Sequence, residues 1–397
     1  MLAKAKEAHR ADRWAEAIEK YTAVIMSKGE ACLAHHELHD YYSAHVNLGH
    51  CYAQQDDFEQ ALFHYQESLL IAPHPTVQLN AGLILVQMGR FEEAKPLLLA
   101  VKHTQNIDAW YHLALIHAAL DEPEEAITLY QRILALNPTH EGSLHNVATL
   151  YLQTRQLVLA ETFYEKALGQ NPDNVTARHM LAALRGKTPS EGAPPIYVQT
   201  LFDHYAATYN QHLKQVLGYA VPQHLRALLG PHTHRLSPYP LALDLGCGTG
   251  LMAPYLADIV ATLVGVDLSG NMLKIAAQQG GYQSLFQEDI LEALKRYKGL
   301  CDLLIAADVL GYLGPLEALF EACKQALKPN GLWGFSIETA PHTLTLQPTG
   351  RFAHPVSYIK ALCHQYGFTC LAEHSLDLRL QEQHSVAGHL FLITLSK

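Results

Sequence analysis

The sequence lacks any long hydrophobic run, the cysteine spacings of metal or disulfide scaffolds, and an excess of positive charge. No apolar stretch approaches the ~20 residues of a membrane-spanning helix, so none is predicted. The first residues, Met1 to Glu7, are charged and helical in pattern and do not resemble a signal peptide. These features favour a soluble, cytoplasmic protein, and 397 residues are enough for two or three domains.

Charge and cysteine usage exclude further classes. Lys and Arg number 28 against 38 Asp and Glu, and the resulting net charge of −10 disfavours nonspecific binding to nucleic-acid phosphates. The seven cysteines are odd in number, lie far apart and form no C-x-x-C pair, which argues against a disulfide framework or a zinc ribbon. We predict neither a nucleic-acid partner nor a structural metal.

Histidine, in contrast, is abundant, with 25 copies. His35 and His39 lie four residues apart and would share one helix face, as metal ligands do. Asp40, however, occupies the position that would complete an H-E-x-x-H motif after His36. The spacing is not specific, and we predict no metal site here.

A sequence repeat occupies the first part of the chain, and each copy is about as long as a pair of helices. Gly49, Gly82, Ala114 and Ala148 occupy equivalent positions, 33, 32 and 34 residues apart. Small residues let paired helices approach closely, large residues fill the gaps between pairs, and proline ends the second helix. The recurring residues are Ala61, Ala126 and Ala160, then Tyr65, Tyr130 and Tyr164, then Pro73, Pro138 and Pro172. A degenerate first copy uses Trp14, Ala17 and Tyr21.

These residues resemble the tetratricopeptide repeat (TPR) family over residues 1–173, with a capping helix near 175–185. The resemblance implies an α-helical solenoid whose groove binds a protein or carrier protein. The alternative is that the repeats only support the rest of the chain. We assign residues 1–187 to the repeat domain and the Gly/Pro-rich stretch 188–195 to a linker.

Beyond the linker, in residues 196–397, short β-rich runs alternate with helical runs, which predicts a parallel α/β sheet. The last two strands follow each other without a helix and are expected to form an antiparallel edge pair. The predicted strands are Leu241–Leu245, Leu263–Asp267, Ser284–Gln287, Leu303–Ala306, Leu332–Ile337, Cys370–Leu378 and His389–Leu395.

A glycine-rich turn follows the first of these strands. It contains Asp244, Gly246, Cys247, Gly248 and Gly250, and Asp267 ends the next strand. Glycines let a backbone turn sharply and approach a ligand, and an acid at that second position can accept hydrogen bonds from ribose hydroxyls. A dinucleotide dehydrogenase uses the same logic, but its usual pattern is G-x-G-x-x-G without a leading acid.

The run D-L-G-C-G-T-G, with V-G-V-D-L-S-G-N-M-L after it, resembles class I S-adenosylmethionine-dependent methyltransferases. Three later motifs match in order, at Glu288–Ile290, Asp302–Leu310 and Leu327–Leu332. The resemblance implies a seven-stranded Rossmann-like methyltransferase domain that binds S-adenosyl-L-methionine at the carboxyl ends of its strands. The implied cofactor-binding residues are Asp244, Gly246, Cys247, Gly248, Gly250, Asp267, Leu268, Met272, Asp289, Ile290 and Ala307.

The acceptor is expected beside the methyl group, where three regions of the chain offer candidates. Tyr205 and Tyr209 share a helix face and either line the site or pack in the core. Asp308 and Tyr312 follow the fourth strand. Farther along, Arg351 would clamp an acceptor carboxylate or phosphate and His354 would be a base or an orienting donor; alternatively both order their loop.

We therefore expect methyl transfer to an oxygen, or alternatively a nitrogen, of a small or carrier-bound metabolite. One version is carboxyl methylation of an acyl-carrier-bound dicarboxylate, as in biotin synthesis, with Lys295, Arg296 and Lys298 meeting the acidic carrier. No N-P-P-[YF] motif follows the fourth strand, which weakens amino-group acceptors of DNA and protein glutamine. The alternatives are a protein methyltransferase whose repeats dock the target, and an adaptor with a vestigial catalytic domain.

Overall fold

The chain divides into two compact units, Met1–Gln170 and Asn171–Lys397. The structure is a computed structural model, and it describes residues 2–27, 35–215, 218–233, 238–381 and 384–396. Helix α11 and the stretch 188–195, assigned above to the repeats and the linker, both belong to the second unit.

Within its described residues, the first unit consists of helices that pack in consecutive pairs. The pairs are α1 (Leu2–Arg10) with α2 (Trp14–Met26), α3 (His35–Ala53) with α4 (Phe58–Ile71), α5 (Pro75–Gln87) with α6 (Phe91–Val101), α7 (Ile107–Ala119) with α8 (Pro123–Leu136), and α9 (Glu141–Gln153) with α10 (Leu157–Gln170). The predicted helical solenoid is confirmed, including its degenerate first pair. The side chains of His35 and His36 and the whole of residues 28–34 lie outside the described part.

The repeat residues do what their sizes predict. Ala61, Ala126 and Ala160 are fully buried, and Tyr65 and Tyr130 are buried with them. The turn inside each pair recurs as well, because Asp12, Asp56, Gly89, Asp121 and Arg155 all have positive φ at the end of a first helix. Such left-handed residues end a helix and redirect the chain at once. Periodic sequence thus produces a periodic backbone.

The second unit holds the mixed sheet and the remaining helices. The helices are α11 (Val175–Leu184), α12 (Pro195–Gln215), α13 (Val221–Leu229), α14 (Ala253–Leu256), α15 (Gly270–Gln279), α16 (Ile290–Arg296), α17 (Glu317–Ala326) and α18 (Val356–Tyr366). The strands are β1 (Tyr239–Leu245), β2 (Val260–Asp267), β3 (Ser284–Gln287), β4 (Cys301–Ala306), β5 (Leu327–Glu338), β6 (Thr345–Leu346), β7 (Phe352–Ala353), β8 (Phe368–Gln381) and β9 (His384–Leu395).

Seven strands form one sheet in the order β3-β2-β1-β4-β5-β9-β8, and β6 pairs with β7 separately. The strands from β3 to β5 are parallel, whereas β9 pairs antiparallel with both β5 and β8. The predicted seven-stranded Rossmann-like sheet with an antiparallel edge pair is confirmed. The parallel strands bring the carboxyl ends of β1, β2, β4 and β5 to one edge.

Each face of the sheet is covered by its own apolar cluster. Residues of α16, α17 and α18 pack against Trp333, Phe335 and Phe391 on one face. On the other face, α13 and α14 pack against Leu303, Ile305 and Leu392. Strands buried on both faces explain why the central runs are almost continuously hydrophobic.

The described residues include neither a membrane-spanning helix nor a cluster of metal-binding side chains. No helix among them is long and apolar enough to cross a membrane. Nor do the described side chains contain a group of three or more His, Cys, Asp or Glu placed to hold a metal ion.

Candidate active site

The glycine-rich turn after β1 is bound to the end of β2. The amides of Gly246 and Cys247 donate to the Val266 carbonyl at 2.8 and 3.0 Å. One carboxylate oxygen of Asp267 accepts from the Gly248 amide, and the other from the Ser269 amide, both at 2.8 Å. Burial raises the pKa of Asp267, although these two amides oppose the shift. Asp267 therefore fixes the turn as well as lying at the expected ribose position.

A small cavity of about 30 Å³ lies beside this turn. It is lined by Asp244, Gly246, Cys247, Gly248, Thr249, Leu251, Met252 and Ala307, and across from them by Tyr209, Tyr219 and Pro222. This volume holds roughly two water molecules. Six of the predicted site residues therefore meet at one cavity, and it is far smaller than a pocket for a nucleoside-sized ligand, roughly 300–1,000 Å³.

Asp244 is the most perturbed acid at this cavity. Its side chain is 1% exposed, and burial raises its pKa from 3.8 to about 7. The Tyr282 hydroxyl donates to its Oδ2 at 2.7 Å and partly offsets the shift. Tyr282 was not among the predicted residues. In the absence of a cationic partner, Asp244 is thus close to half protonated at neutral pH.

The remaining predicted cofactor residues are not among those that line this cavity. Asp289 caps α16 by accepting from the Leu291 amide at 2.8 Å, and Ile290 and Met272 are buried. The Leu268 carbonyl accepts from Gln287 at 3.1 Å. Gly250 closes the turn by donating to the Cys247 carbonyl at 2.9 Å. Their contact with a cofactor stays a prediction.

Helix α12 is bonded to both cofactor loops. Asp203 Oδ1 accepts from the Ser269 hydroxyl at 2.5 Å and from the Asn271 amide at 3.2 Å, at the start of α15. Asn210 Oδ1 accepts from the Thr249 hydroxyl at 2.6 Å. These bonds hold Tyr209, between them on α12, against the cavity. Of the two candidate tyrosines of α12, Tyr209 lines this cavity, and a contact with cofactor or acceptor stays a prediction for both.

Four buried charged side chains form a second cluster beside the ends of β4 and β5. Arg351 donates to Asp308 at 2.7 Å and to Glu338, and Arg379 donates to Asp308 at 3.1 Å and to Glu338 at 2.6 Å. All four side chains are at most 11% exposed. We call Asp308, Glu338, Arg351 and Arg379 the charge quartet. Two cations and two carboxylates leave it with no net charge.

Two features of the charge quartet are unusual. Asp308 has a φ of +61°, a left-handed conformation that costs a non-glycine residue energy and tends to occur at functional sites. Glu338 Oε1 accepts hydrogen bonds from both Arg351 and Arg379, whereas its buried Oε2 has no hydrogen-bond partner among the described residues. Burial would raise the pKa of Glu338, but Arg351 and Arg379 outweigh it and hold that pKa below its usual value.

Aromatic side chains join the charge quartet to the cavity. The Arg351 guanidinium lies 4.5 Å from the ring centre of Tyr312. Phe202 contacts both Tyr312 and Tyr209 edge to face, and Tyr205 contacts Tyr209 at a ring separation of 5.1 Å. Burial raises the pKa of Tyr205 to about 12 and raises that of Tyr209 further. These phenols are protonated at neutral pH and can donate hydrogen bonds.

His354 is fully buried, and its Nε2–H donates to the Gly314 carbonyl at 2.8 Å. Because a carbonyl only accepts, this bond fixes the Nε2–H tautomer and leaves Nδ1 as a lone pair. Its ring stacks on Tyr358. In this state His354 orders its loop, and Arg351 is bonded to Asp308 and Glu338. These contacts fit the alternative that both residues order their loop, and their contact with an acceptor stays a prediction.

Sequence reasoning missed Glu338 and Arg379 as site residues. Glu338 is the last residue of β5, and the residues just before it are buried and mostly apolar. A carboxylate at the end of such a strand is a signal that could have identified it. Arg379 had none, because it lies in an alternating strand where a basic residue is expected to face solvent. A register shift between Asp377 and Arg379 changes this, since a β-bulge re-aims the side chain inward.

Comparisons with known proteins support a repeat domain and a methyltransferase domain in this chain. Residues 243–335 match the family model described as a methyltransferase domain. Residues 42–75, 107–140 and 142–174 match tetratricopeptide repeat models. Both kinds of domain predicted from the sequence are therefore confirmed.

Among curated proteins, the ubiquinone biosynthesis O-methyltransferase of Idiomarina loihiensis is 31% identical over 128 residues, which is 28% of this chain and 53% of that protein. That of Escherichia coli O9:H4 is 28% identical over 124 residues, 27% of this chain and 52% of its own. The chain spans about half the length of these relatives. An S-adenosylmethionine-dependent methyltransferase from Mesorhizobium loti shares 19% identity and a TM-score of 0.34, covering 43% of this chain and 96% of its own. YrrB, a TPR protein with an unusual peptide-binding site, shares 16% sequence identity with this chain at a TM-score of 0.39. The match covers 44% of this chain and 87% of YrrB.

Proposed function

Because the chain carries tetratricopeptide repeats and an S-adenosylmethionine-dependent methyltransferase domain, we propose that it methylates a hydroxyl oxygen of a metabolite. The observation that carries this proposal is the cavity where Asp244, Gly248 and Ala307 meet Tyr209. It joins the glycine turn to the end of β4, with protonated tyrosines on its far side.

The residues around the cavity fit an adenosyl cofactor. Gly248 has a φ of +54° and open space where a side chain would stand, so ligand atoms can approach its backbone closely. Asp267 and Asp244 supply carboxylates for ribose hydroxyls and for a cation. When bound, S-adenosylmethionine supplies an electrophilic methyl group on a sulfonium. We propose that the eleven predicted cofactor residues, from Asp244 to Ala307, hold it.

The chain's own residues would position the acceptor and exclude water. Asp203 and Asn210 hold α12 over the cavity, Tyr209 and Tyr219 line it, and Tyr205 packs on Tyr209. A hydroxyl acceptor must lose a proton. We propose that the unpartnered Glu338 Oε2, or Asp308 beside it, accepts that hydrogen, and that Arg351 and Arg379 orient the two carboxylates.

A carboxylate acceptor fits less well. Arg351, its proposed clamp, is already bonded to Asp308 and Glu338, so a substrate carboxylate would have to displace one of them. The basic surface proposed for an acidic carrier is also partly neutralised, since Lys295 pairs with Glu292 and Arg296 with Glu288. We therefore put a hydroxyl-bearing metabolite ahead of the carrier-bound dicarboxylate. The O-methyltransferase names of the curated relatives support an oxygen acceptor.

Acceptor trapping tests the proposal. The purified chain and S-adenosylmethionine labelled with tritium in the methyl group are added to cell extract, which is then dialysed and treated with mild alkali. We expect label in the dialysable fraction that resists alkali, because methyl ethers are stable there and methyl esters are hydrolysed. Alkali-labile label would instead support carboxyl methylation. The Asp267→Ala variant is the control.

Two other outcomes decide the alternatives. Label retained with protein and released by protease would support protein methylation, with the repeats as the docking element. A chain that binds no S-adenosylhomocysteine and transfers no label would support an adaptor and contradict the proposal. The intact glycine turn and Asp267 argue against that last outcome.

A further inference from the structure

The peptide before Arg351 is fixed by α11 and α12. His179 Nε2–H donates to the Gly350 carbonyl at 2.9 Å, and His179 is 5% exposed. Gly350 has a φ of +80°, and a Cβ there would lie 2.6 Å from the Tyr197 hydroxyl and 2.9 Å from Met180 Sδ. Only glycine fits this contact, so α11 determines where the backbone turns into Arg351.

The same loop is held at its other end. Leu346 donates its amide to the Thr188 hydroxyl oxygen at 3.1 Å. Ala183 on α11 forms a buried cluster with Leu346 and Phe352. The short β6–β7 pair, whose connecting loop contains Gly350 and Arg351, is therefore packed on α11 and Thr188.

The loop that carries Asp308 and Tyr312 is held by the same segment. The Ala193 amide donates to the Tyr312 carbonyl at 2.9 Å. Gly314 lies so close that a Cβ there would be 2.8 Å from the Glu191 carbonyl oxygen. Residues 179–193 thus contact the two loops that supply Asp308 and Arg351, two of the four members of the charge quartet, although none of these residues belongs to it.

We infer that His179 is a positioning residue for the acceptor site, acting through the Gly350 carbonyl on Arg351. The inference rests on the proposed function, because it takes the charge quartet as the acceptor side of the site. Arg351 holds two carboxylates, and hydrogen bonds weaken steeply as their angles depart from linear. A shift of the preceding peptide therefore changes the acceptor site while the glycine turn stays in place.

The first test needs no acceptor. We compare the full chain with His179→Leu, which keeps bulk and loses the donor, and His179→Gln, which keeps an N–H. Amide hydrogen exchange of residues 345–354 should accelerate roughly five- to tenfold in His179→Leu, as expected for one lost hydrogen bond, and less in His179→Gln. Exchange of residues 243–250 should not change. Equal exchange of 345–354 in all three proteins would overturn the inference.

The second test uses the alkali-stable acceptor fraction described above. His179→Leu should raise the apparent KM for that fraction while the Kd for S-adenosylhomocysteine stays at the wild-type value, and His179→Gln should restore it. A purely structural role would instead raise the Kd for S-adenosylhomocysteine together with the KM. Thr188→Val, on an exposed side chain that holds the same loop, is the second variant should His179→Leu not fold. If no acceptor is found, the proposed function fails, whereas the exchange experiment still decides the position of the loop.

Discussion

At the scale of single residues, the carboxylates at the cofactor cavity have separable roles. Asp267 is bonded to Gly248 and Ser269 and lies at the expected ribose position. Asp267→Ala should weaken S-adenosylhomocysteine binding by roughly 1–3 kcal/mol, because partners of a buried acceptor are left unsatisfied. Calorimetry measures this, with the exposed Asp258→Ala as control. Unchanged affinity in Asp267→Ala would refute the ribose role.

Asp244 gives a pH-dependent prediction. Burial raises its pKa from 3.8 to about 7, so between these values the unfolded chain ionises while the folded chain keeps the proton. Stability then falls as pH rises, by up to roughly 4 kcal/mol in total, and is constant above the folded pKa. Asp244→Asn still accepts from Tyr282 but does not titrate. Relative to wild type, its stability should rise between about pH 4 and about pH 7.

Urea unfolding measures this difference, with Trp14 and Trp110 replaced by Phe so that Trp333 reports on the sheet. The same variant should bind S-adenosylmethionine less tightly, because a carboxylate for a cation is lost. A stability difference that does not vary with pH would contradict the shifted pKa.

The charge quartet predicts a different effect for Arg351→Lys. A lysine cannot hold Asp308 and Glu338 in one plane, so the carboxylates lose their orientation. Turnover should fall roughly ten- to a hundredfold while cofactor affinity stays near wild type. Methyl transfer to the trapped acceptor measures the loss, and Arg226→Lys, at a surface ion pair with Asp258, is the matched control. Equal turnover of Arg351→Lys and wild type would remove Arg351 from the site.

Residues bound to a local motif were predictable, and residues placed by the fold were not. Asp244 and Gly248 lie in one strand–turn–helix sequence, and Asp267 ends the next strand, which pairs in parallel with the first and brings it to the turn. Arg379 reaches Asp308 only through a bulge in β8, 71 positions along the chain, and no local pattern encodes that register shift. For the same reason the sequence suggested a substrate carboxylate as one partner of Arg351 but did not indicate Asp308 and Glu338, which the fold brings to it.

At the scale of elements, α11 is the informative case. Its sequence continues the repeat pattern, which is why it is predicted to cap the solenoid, and within the second unit its His179 and Ala183 contact the loop around Gly350. Periodicity reports that a helix has an apolar face but not which surface covers that face.

This helix predicts how the chain can be divided. A fragment that begins at Asn171 keeps α11, whereas one that begins at Gly192 exposes the apolar surface of Leu346 and Phe352. The longer fragment should be more stable by several kcal/mol, at about 1.5–3 kcal/mol for each large side chain uncovered. Thermal unfolding and limited proteolysis compare the two. Equal stability would support the boundary at residues 188–195.

At the scale of the whole molecule, we propose that the repeats recruit the acceptor or the protein that carries it. The fragment 171–397 should then bind cofactor with nearly full affinity, since the glycine turn and Asp267 lie inside it. Its activity should be lower than that of the full chain at low acceptor concentration and approach it at high concentration, because recruitment acts through effective concentration. Initial rates over a range of acceptor concentrations measure this. If the two proteins match throughout, the repeats do not deliver substrate.

The hydrogen bonds that Asp203 and Asn210 of α12 accept from Ser269 and Thr249 have a kinetic consequence. A cavity of about 30 Å³ is smaller than a nucleoside, so we expect α12 to move away when the donor enters and again when the demethylated product leaves. Such a movement of α12 would break the hydrogen bonds of Asp203 and Asn210 in both directions. We therefore predict that the departure of S-adenosylhomocysteine is slower than the methyl transfer itself. A pre-steady-state burst of one methylated product per chain is the signature of that order of rates.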